Sequence, residues 1–89
     1  MEKIFAKTIV KNGIKLQSVI AMEECSELTK EISKFIRGKG IKDNLVEEMA
    51  DVLIVIEQLK MMYAISPQEL GEMVDKKVNR LKERLEECL

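Results

Sequence analysis

The chain has 89 residues, 46% of them apolar but only 3% aromatic, and its 15 Lys and Arg against 16 Asp and Glu leave a net charge of −1. A domain this small buries only about 60–65% of the surface its unfolded chain exposes, so 1–89 reads as one thin-cored domain of Ile, Leu, Val and Met. Balanced charge excludes the broad basic footprint of a nucleic-acid binder. No apolar run approaches the roughly 18 residues of a membrane span, and the absence of histidine removes His-based zinc sites, Ser-His-Asp triads and Cys-His dyads.

The opening Met1-Glu2-Lys3-Ile4 lacks the apolar core and small-residue cleavage site of a signal peptide, so the expected setting is the cytoplasm. There Cys25 and Cys88, far apart and without CxxC spacing, are expected as reduced thiols.

Apolar periodicity near 100° per residue predicts three long helices and a short lead-in. Residues 4–11 predict a helical turn or two ending at Asn12-Gly13, with Gly13 as a left-handed cap. From Ile14 to Arg37, Leu16, Val19, Ile20, Leu28, Ile32, Phe35 and Ile36 recur at helical spacing until Arg37-Gly38-Lys39-Gly40 stops the run. The next helix is predicted to start at Asp43 or Asn44, with Asn44 and Glu47 spaced as a capping box, and to reach about Tyr63. Val46, Met49, Val52, Leu53, Ile54, Val55, Ile56 and Leu59 make it apolar nearly all round, as befits the middle of a bundle. The last helix begins at Ser66-Pro67-Gln68-Glu69, where a Ser cap, Pro at the first helical position and Glu three residues after the cap agree. Its stripe of Leu70, Val74, Val78, Leu81, Leu85 and Cys88 is narrow.

The fold class is therefore all-α, an antiparallel helical bundle. Two or three helices cannot cover a middle helix that is apolar on every side, so the four-helix core is expected to be completed by a second copy, in a homodimer or homotetramer.

Several acids do not lie opposite the apolar stripes, where solvated acids belong. Glu24 and Glu31 fall at the stripe margin of the first long helix, with Glu27 close by, and Glu23 lies further out. Glu48 and Asp51, three residues apart on one helix face, bracket Val55 inside an apolar face, with no Lys or Arg from Leu45 to Glu57 to neutralise them. An ionised carboxylate in such a place is costly unless paired or coordinated. Antiparallel packing would bring Glu24 and Glu27 opposite Glu48 and Asp51, and four oxygen-donor ligands favour magnesium, with manganese as a substitute. For Glu23, Glu31 and Glu47 the expectation is instead solvation or pairing with lysines across subunits.

The words Glu23-Glu24-Cys25-Ser26-Glu27 and Glu48-Met49-Ala50-Asp51, with Gln17 upstream and Arg37-Gly38 in the turn between, resemble the EExxE and ExxD motifs of the MazG-like all-α nucleoside triphosphate pyrophosphohydrolases over about residues 14 to 60. The resemblance implies magnesium held by Glu24, Glu27, Glu48 and Asp51. It implies hydrolysis of a nucleoside triphosphate, deoxy or noncanonical, to monophosphate and pyrophosphate, with Glu24 or Glu27 as the base that takes the water's proton. It further implies phosphate contacts from Lys76, Asn79 and Arg80, and Lys34, Arg37 and Gln17 join them as substrate-binding candidates. The aromatic residues such enzymes stack on a base are reduced here to Phe5, Phe35 and Tyr63.

A rival reading is a non-enzymatic helical module whose acids make intersubunit ion pairs. It accounts for the last helix but leaves Glu48 and Asp51 without a partner. A di-iron carboxylate bundle needs Glu-x-x-His pairs, which a chain without histidine lacks.

Overall fold

A computed structural model describes residues 1–87. It consists of four helices, α1 (Glu2–Asn12), α2 (Ile14–Ile36), α3 (Lys42–Met62) and α4 (Pro67–Glu87), with no strand among the described residues. Cys88, the end of the predicted α4 stripe, lies outside them, and Cys25 is an exposed free thiol.

The lead-in is a full helix of 11 residues rather than a turn or two. Gly13 ends it and starts the next one: its N–H bonds the Ile9 carbonyl and its carbonyl accepts from Gln17 N–H. Its backbone (φ 81°, ψ 158°) is not the expected left-handed cap but the extended region at positive φ that is open essentially to glycine alone, because one residue must turn the chain from α1 into α2.

The stop at the end of α2 is a Schellman motif. Gly38 takes φ 74°, Gly38 N–H bonds Phe35 O and Lys39 N–H bonds Lys34 O. A side chain on Gly40 would overlap the Phe35 ring. With Gly40 tucked there, Ile41 is extended (φ −116°, ψ 123°) and caps α3, which begins at Lys42. The predicted Asn44–Glu47 capping box is therefore not formed: Asn44 lies inside the first turn, its N–H donating to the Ile41 carbonyl, which also accepts from Leu45 N–H.

At the end of α3 the same motif recurs with Ala64 at φ 53° and Ile65 N–H bonded to Lys60 O. Alanine pays a steric cost in this conformation that glycine does not, so Ala64→Gly is expected to raise stability by about 0.5–1 kcal/mol, read as an upward shift of the denaturant midpoint. The predicted start of α4 forms as expected, with Ser66 N–H bonded to Glu69 Oε2 and Glu69 N–H to Ser66 Oγ.

Helices α2 and α3 form an antiparallel hairpin, and α1 packs across both. The inner seam of the hairpin is unusually polar. Gln17, Ala21, Glu31, Val55 and Gln58 are buried, and Glu24, Leu28, Glu48, Asp51 and Met62 are half-buried between them. Among the described residues, only Ala21 and Val55 are buried apolar residues.

The apolar side chains instead crowd the outside. On α3, Val46, Met49, Leu53 and Ile56 are 54%, 50%, 66% and 37% exposed, at a 3-4-3 spacing that marks one continuous stripe. Helix α4 packs extensively on none of the others, and every residue from Gly71 to Glu87 is exposed, including Val74, Val78, Leu81 and Leu85 of its apolar stripe. The radius of gyration is accordingly 16.2 Å, against about 12 Å for a compact chain of this length. Among the described residues, no helix is long and apolar enough to cross a membrane.

Candidate metal centre

The register of the α2–α3 hairpin decides which polar groups meet. Gln17 lies opposite Gln58, with Gln17 Nε2 donating to Gln58 Oε1 at 2.8 Å. Seven residues along each helix, two turns in the same antiparallel register, Glu24 lies opposite Asp51. Glu48, one turn from Asp51, completes a group of three carboxylates whose oxygens lie within 4.8 Å of one another.

Mutual repulsion in this half-buried place shows in the proton affinities. The Glu24 carboxyl is raised above its ordinary value, first by burial, then by a carboxyl–carboxyl hydrogen bond with Asp51 and by the charges of Asp51, Glu48 and Glu27. Glu48 is raised by burial and by the charges of Asp51, Glu27, Glu47 and Glu31. Its Oε2 is enclosed yet meets no donor. Three converging carboxylates with an orphaned oxygen and no cationic side chain among them form an oxygen-only donor set of the kind that suits a hard divalent cation.

Glu27, the fourth expected ligand, stands on the exposed side of α2 with Oε1 bonded to Lys30 at 3.2 Å. It is near enough for its charge to raise Glu24 and Glu48, but it is not one of the converging three. Glu31, expected to be solvated or paired across subunits, is buried at 8% exposure. One oxygen meets Lys34 of the same helix at 3.1 Å and the other is enclosed without a donor. Glu23 and Glu47 are exposed, as expected.

The cationic candidates lie elsewhere. Lys34 serves Glu31, and Arg37 Nε donates to the Ser33 carbonyl at 3.3 Å. Both border a shallow hollow with Ser26, Thr29, Lys30 and Ser33. Lys76, Asn79 and Arg80 share a face of α4 with Glu83, and α4 does not pack on the α2–α3 seam. A single chain thus does not gather them with the carboxylates.

Gln17 is brought close. With Glu24, Asp51 and Gln58 it borders a cleft of about 350 Å³ between α1, α2 and α3. Phe5 and Thr8 of α1 line this cleft and Asn12 bonds Gln17, contacts that reading the sequence missed. The signal available was the seven-residue recurrence of polar groups, 17-24-31 on one helix and 51-58 on the other, which places them all on one seam.

Compared with known proteins, the chain matches no protein-family model, no curated protein and no solved structure.

Proposed function

We propose that the chain is a magnesium-dependent nucleoside triphosphate pyrophosphohydrolase acting as a homo-oligomer. The observation that carries this reading is the convergence of Glu24, Glu48 and Asp51 within 4.8 Å, with raised proton affinity at two of them. The likeness of the EExxE and ExxD words supports it. A metal-ligating trio of carboxylates leaves room for waters and substrate phosphate oxygens, the coordination magnesium prefers.

Glu24, Glu48 and Asp51 would hold the ion, with Glu27 joining from one turn along α2 as it exchanges Lys30 for the metal. An ion held there would supply positive charge to the phosphate oxygens and acidify water beside them. Glu24, half-buried at this place, takes the proton as the water oxygen bonds to the α-phosphorus and pyrophosphate leaves with the α–β bridging oxygen. Glu27 is the alternative base. Lys34, Arg37, Lys76, Asn79 and Arg80 supply positive charge to the phosphates once copies associate. Association covers the stripe of Val46, Met49, Leu53 and Ile56 and the stripe of α4.

The deciding measurement is pyrophosphate release from ribo- and deoxynucleoside triphosphates with magnesium, with manganese and with chelator. Metal-dependent release with monophosphate as co-product is expected. No release from any of them would favour the non-enzymatic helical module.

Metal and pH act together on stability. A carboxyl whose folded-state pKa is raised binds more protons folded than unfolded. The contribution of these two groups to the metal-free protein is thus fully present on the acid side and is lost as pH climbs from the ordinary carboxylate range through the raised values of Glu24 and Glu48. Magnesium reverses the trend, because it binds the ionised carboxylates. At a hundredfold excess over its dissociation constant it is expected to stabilise by about 2.7 kcal/mol, and its effect shrinks as pH falls. Thermal midpoints from pH 4 to 8 with and without magnesium (about the span in which carboxyl groups titrate) test both signs. A midpoint indifferent to magnesium across that span would contradict the metal site.

A further inference from the structure

The cleft beside the three carboxylates has walls of Ile4, Phe5, Ile20, Ile54 and Val55, and its buried polar feature is an amide. Three amides run in series from α1 to α3. Asn12 Nδ2 donates to Gln17 Oε1 at 2.8 Å, Gln17 Nε2 donates to Gln58 Oε1 at 2.8 Å, and the remaining Gln58 NH₂ borders the cleft with no acceptor among the described residues. Gln58 is only 4% exposed and Gln17 2%. Gln58 Nε2 is not among the enclosed atoms without a partner, so its free N–H keeps contact with solvent and is open to a ligand acceptor.

The position of this amide narrows what that ligand is. The Gln17–Gln58 layer and the Glu24–Asp51 layer are seven residues apart on both helices, about 10 Å along the seam. Apolar walls with an aromatic ring, the Gln58 amide at one end and the carboxylates of Glu24 and Asp51 at the other suit a flat heterocycle with hydrogen-bonding edges joined to a charged group. We propose that this cleft reads the base of the nucleotide, and that the Asn12–Gln17–Gln58 relay determines base specificity by presenting a hydrogen-bond donor from Gln58. The inference rests on the pyrophosphohydrolase reading, since that places phosphates at the carboxylates and leaves the base to reach the amide.

An amide carries a donor and an acceptor on one flat group, so the relay has a polarity that can be reversed. As it stands, Gln58 offers N–H and selects a base whose facing atom is a bare ring nitrogen or a carbonyl. If every amide turns over, both hydrogen bonds survive and Gln58 offers its carbonyl instead, selecting an amino group or a ring N–H. The polarity is set at the far end, by Asn12, which does not line the cleft. Asn12→Asp leaves only acceptors there, so Gln17 must donate toward α1, accept from Gln58 and turn the Gln58 carbonyl into the cleft. Gln58→Glu reaches the same result directly, with one oxygen accepting from Gln17 and the other facing the base.

The test is equilibrium binding, with magnesium, of the four non-hydrolysable α,β-imido deoxynucleoside triphosphates and of inorganic tripolyphosphate as the base-free control. Wild type is expected to rank the four bases. Asn12→Asp and Gln58→Glu are expected to shift the ratio between acceptor-edged and donor-edged bases by about tenfold or more in the opposite sense, while their added negative charge weakens the four analogues and tripolyphosphate alike and so cancels from that ratio. If Asn12→Asp fails to fold by circular dichroism, Gln58→Glu decides alone. An unaltered ranking, or a wild type that binds the four analogues no better than tripolyphosphate, would overturn the proposal. Should natural triphosphates release no pyrophosphate while the ranking and its inversion persist, the hydrolase reading falls and base reading by the relay stands.

Discussion

Asp51→Asn is expected to abolish pyrophosphate release while leaving the helices folded, with a thermal midpoint equal to or above that of the parent without metal. Asp51 is half-buried on the inner face of α3 and repels both Glu24 and Glu48. The isosteric amide removes that repulsion and donates an N–H to Glu24, replacing a proton shared between two carboxyls. Removing an uncompensated charge from such a place is neutral or stabilising. The same change takes away one of the three carboxylates proposed to hold the ion, and losing the ion's stabilisation of the reacting phosphate is expected to cost at least about 10²–10³ in kcat. Turnover assays and melting curves on the same preparation read the two effects separately. Loss of the fold, or retention of full activity, would remove Asp51 from the site.

Leu53→Glu is expected to dissociate the protein and, with it, to lower the thermal midpoint at any concentration. Leu53 is central in the exposed α3 stripe, between Met49 and Ile56. Association around that stripe would bury an unpaired carboxylate from each copy, at a cost of about 3–5 kcal/mol apiece. The separated chain has little to fall back on, because the only buried apolar residues among those described are Ala21 and Val55. For wild type the corresponding expectation is a midpoint that rises with protein concentration. Sedimentation velocity and melting over a wide dilution range check both. A wild type that sediments as a monomer and melts independently of concentration would refute the oligomer.

Helices α2, α3 and α4 were legible in the sequence because long stripes at a 3.6-residue period outweigh local ambiguity, and because Gly38 and Ser66-Pro67 punctuate them. Helix α1 was read short, since residues 2–12 carry few large apolar side chains and the closing Gly13 resembles an ordinary stop. The start of α3 was misplaced because the Asn44–Glu47 spacing is a local signal, whereas the real cap is set by tertiary contact: Gly40 against the Phe35 ring and an extended Ile41.

In the candidate site, Glu24, Glu48 and Asp51 could be found from charges standing on apolar faces. Glu27 could not be separated from them, because a three-residue offset keeps it on nearly the same face and only Lys30 at the next turn draws it outward. Glu31 was misjudged for a related reason, as the lysine three residues on disguised a carboxylate that is in fact buried. The amide relay left only the faint trace of the seven-residue polar recurrence, since neutral side chains announce nothing by charge and the meeting of positions 17 and 58 depends on the hairpin register.

The single-residue joint at Gly13 has a consequence for how such a chain tolerates lengthening. With no loop between α1 and α2 to absorb it, one inserted residue would swing α1 by about 100° about its axis, carrying Thr8 and Phe5 off the cleft and Asn12 off Gln17 together. Length variation should therefore accumulate at residues 37–41 or 63–66, where intervening turns exist, and be absent at the Asn12–Ile14 junction.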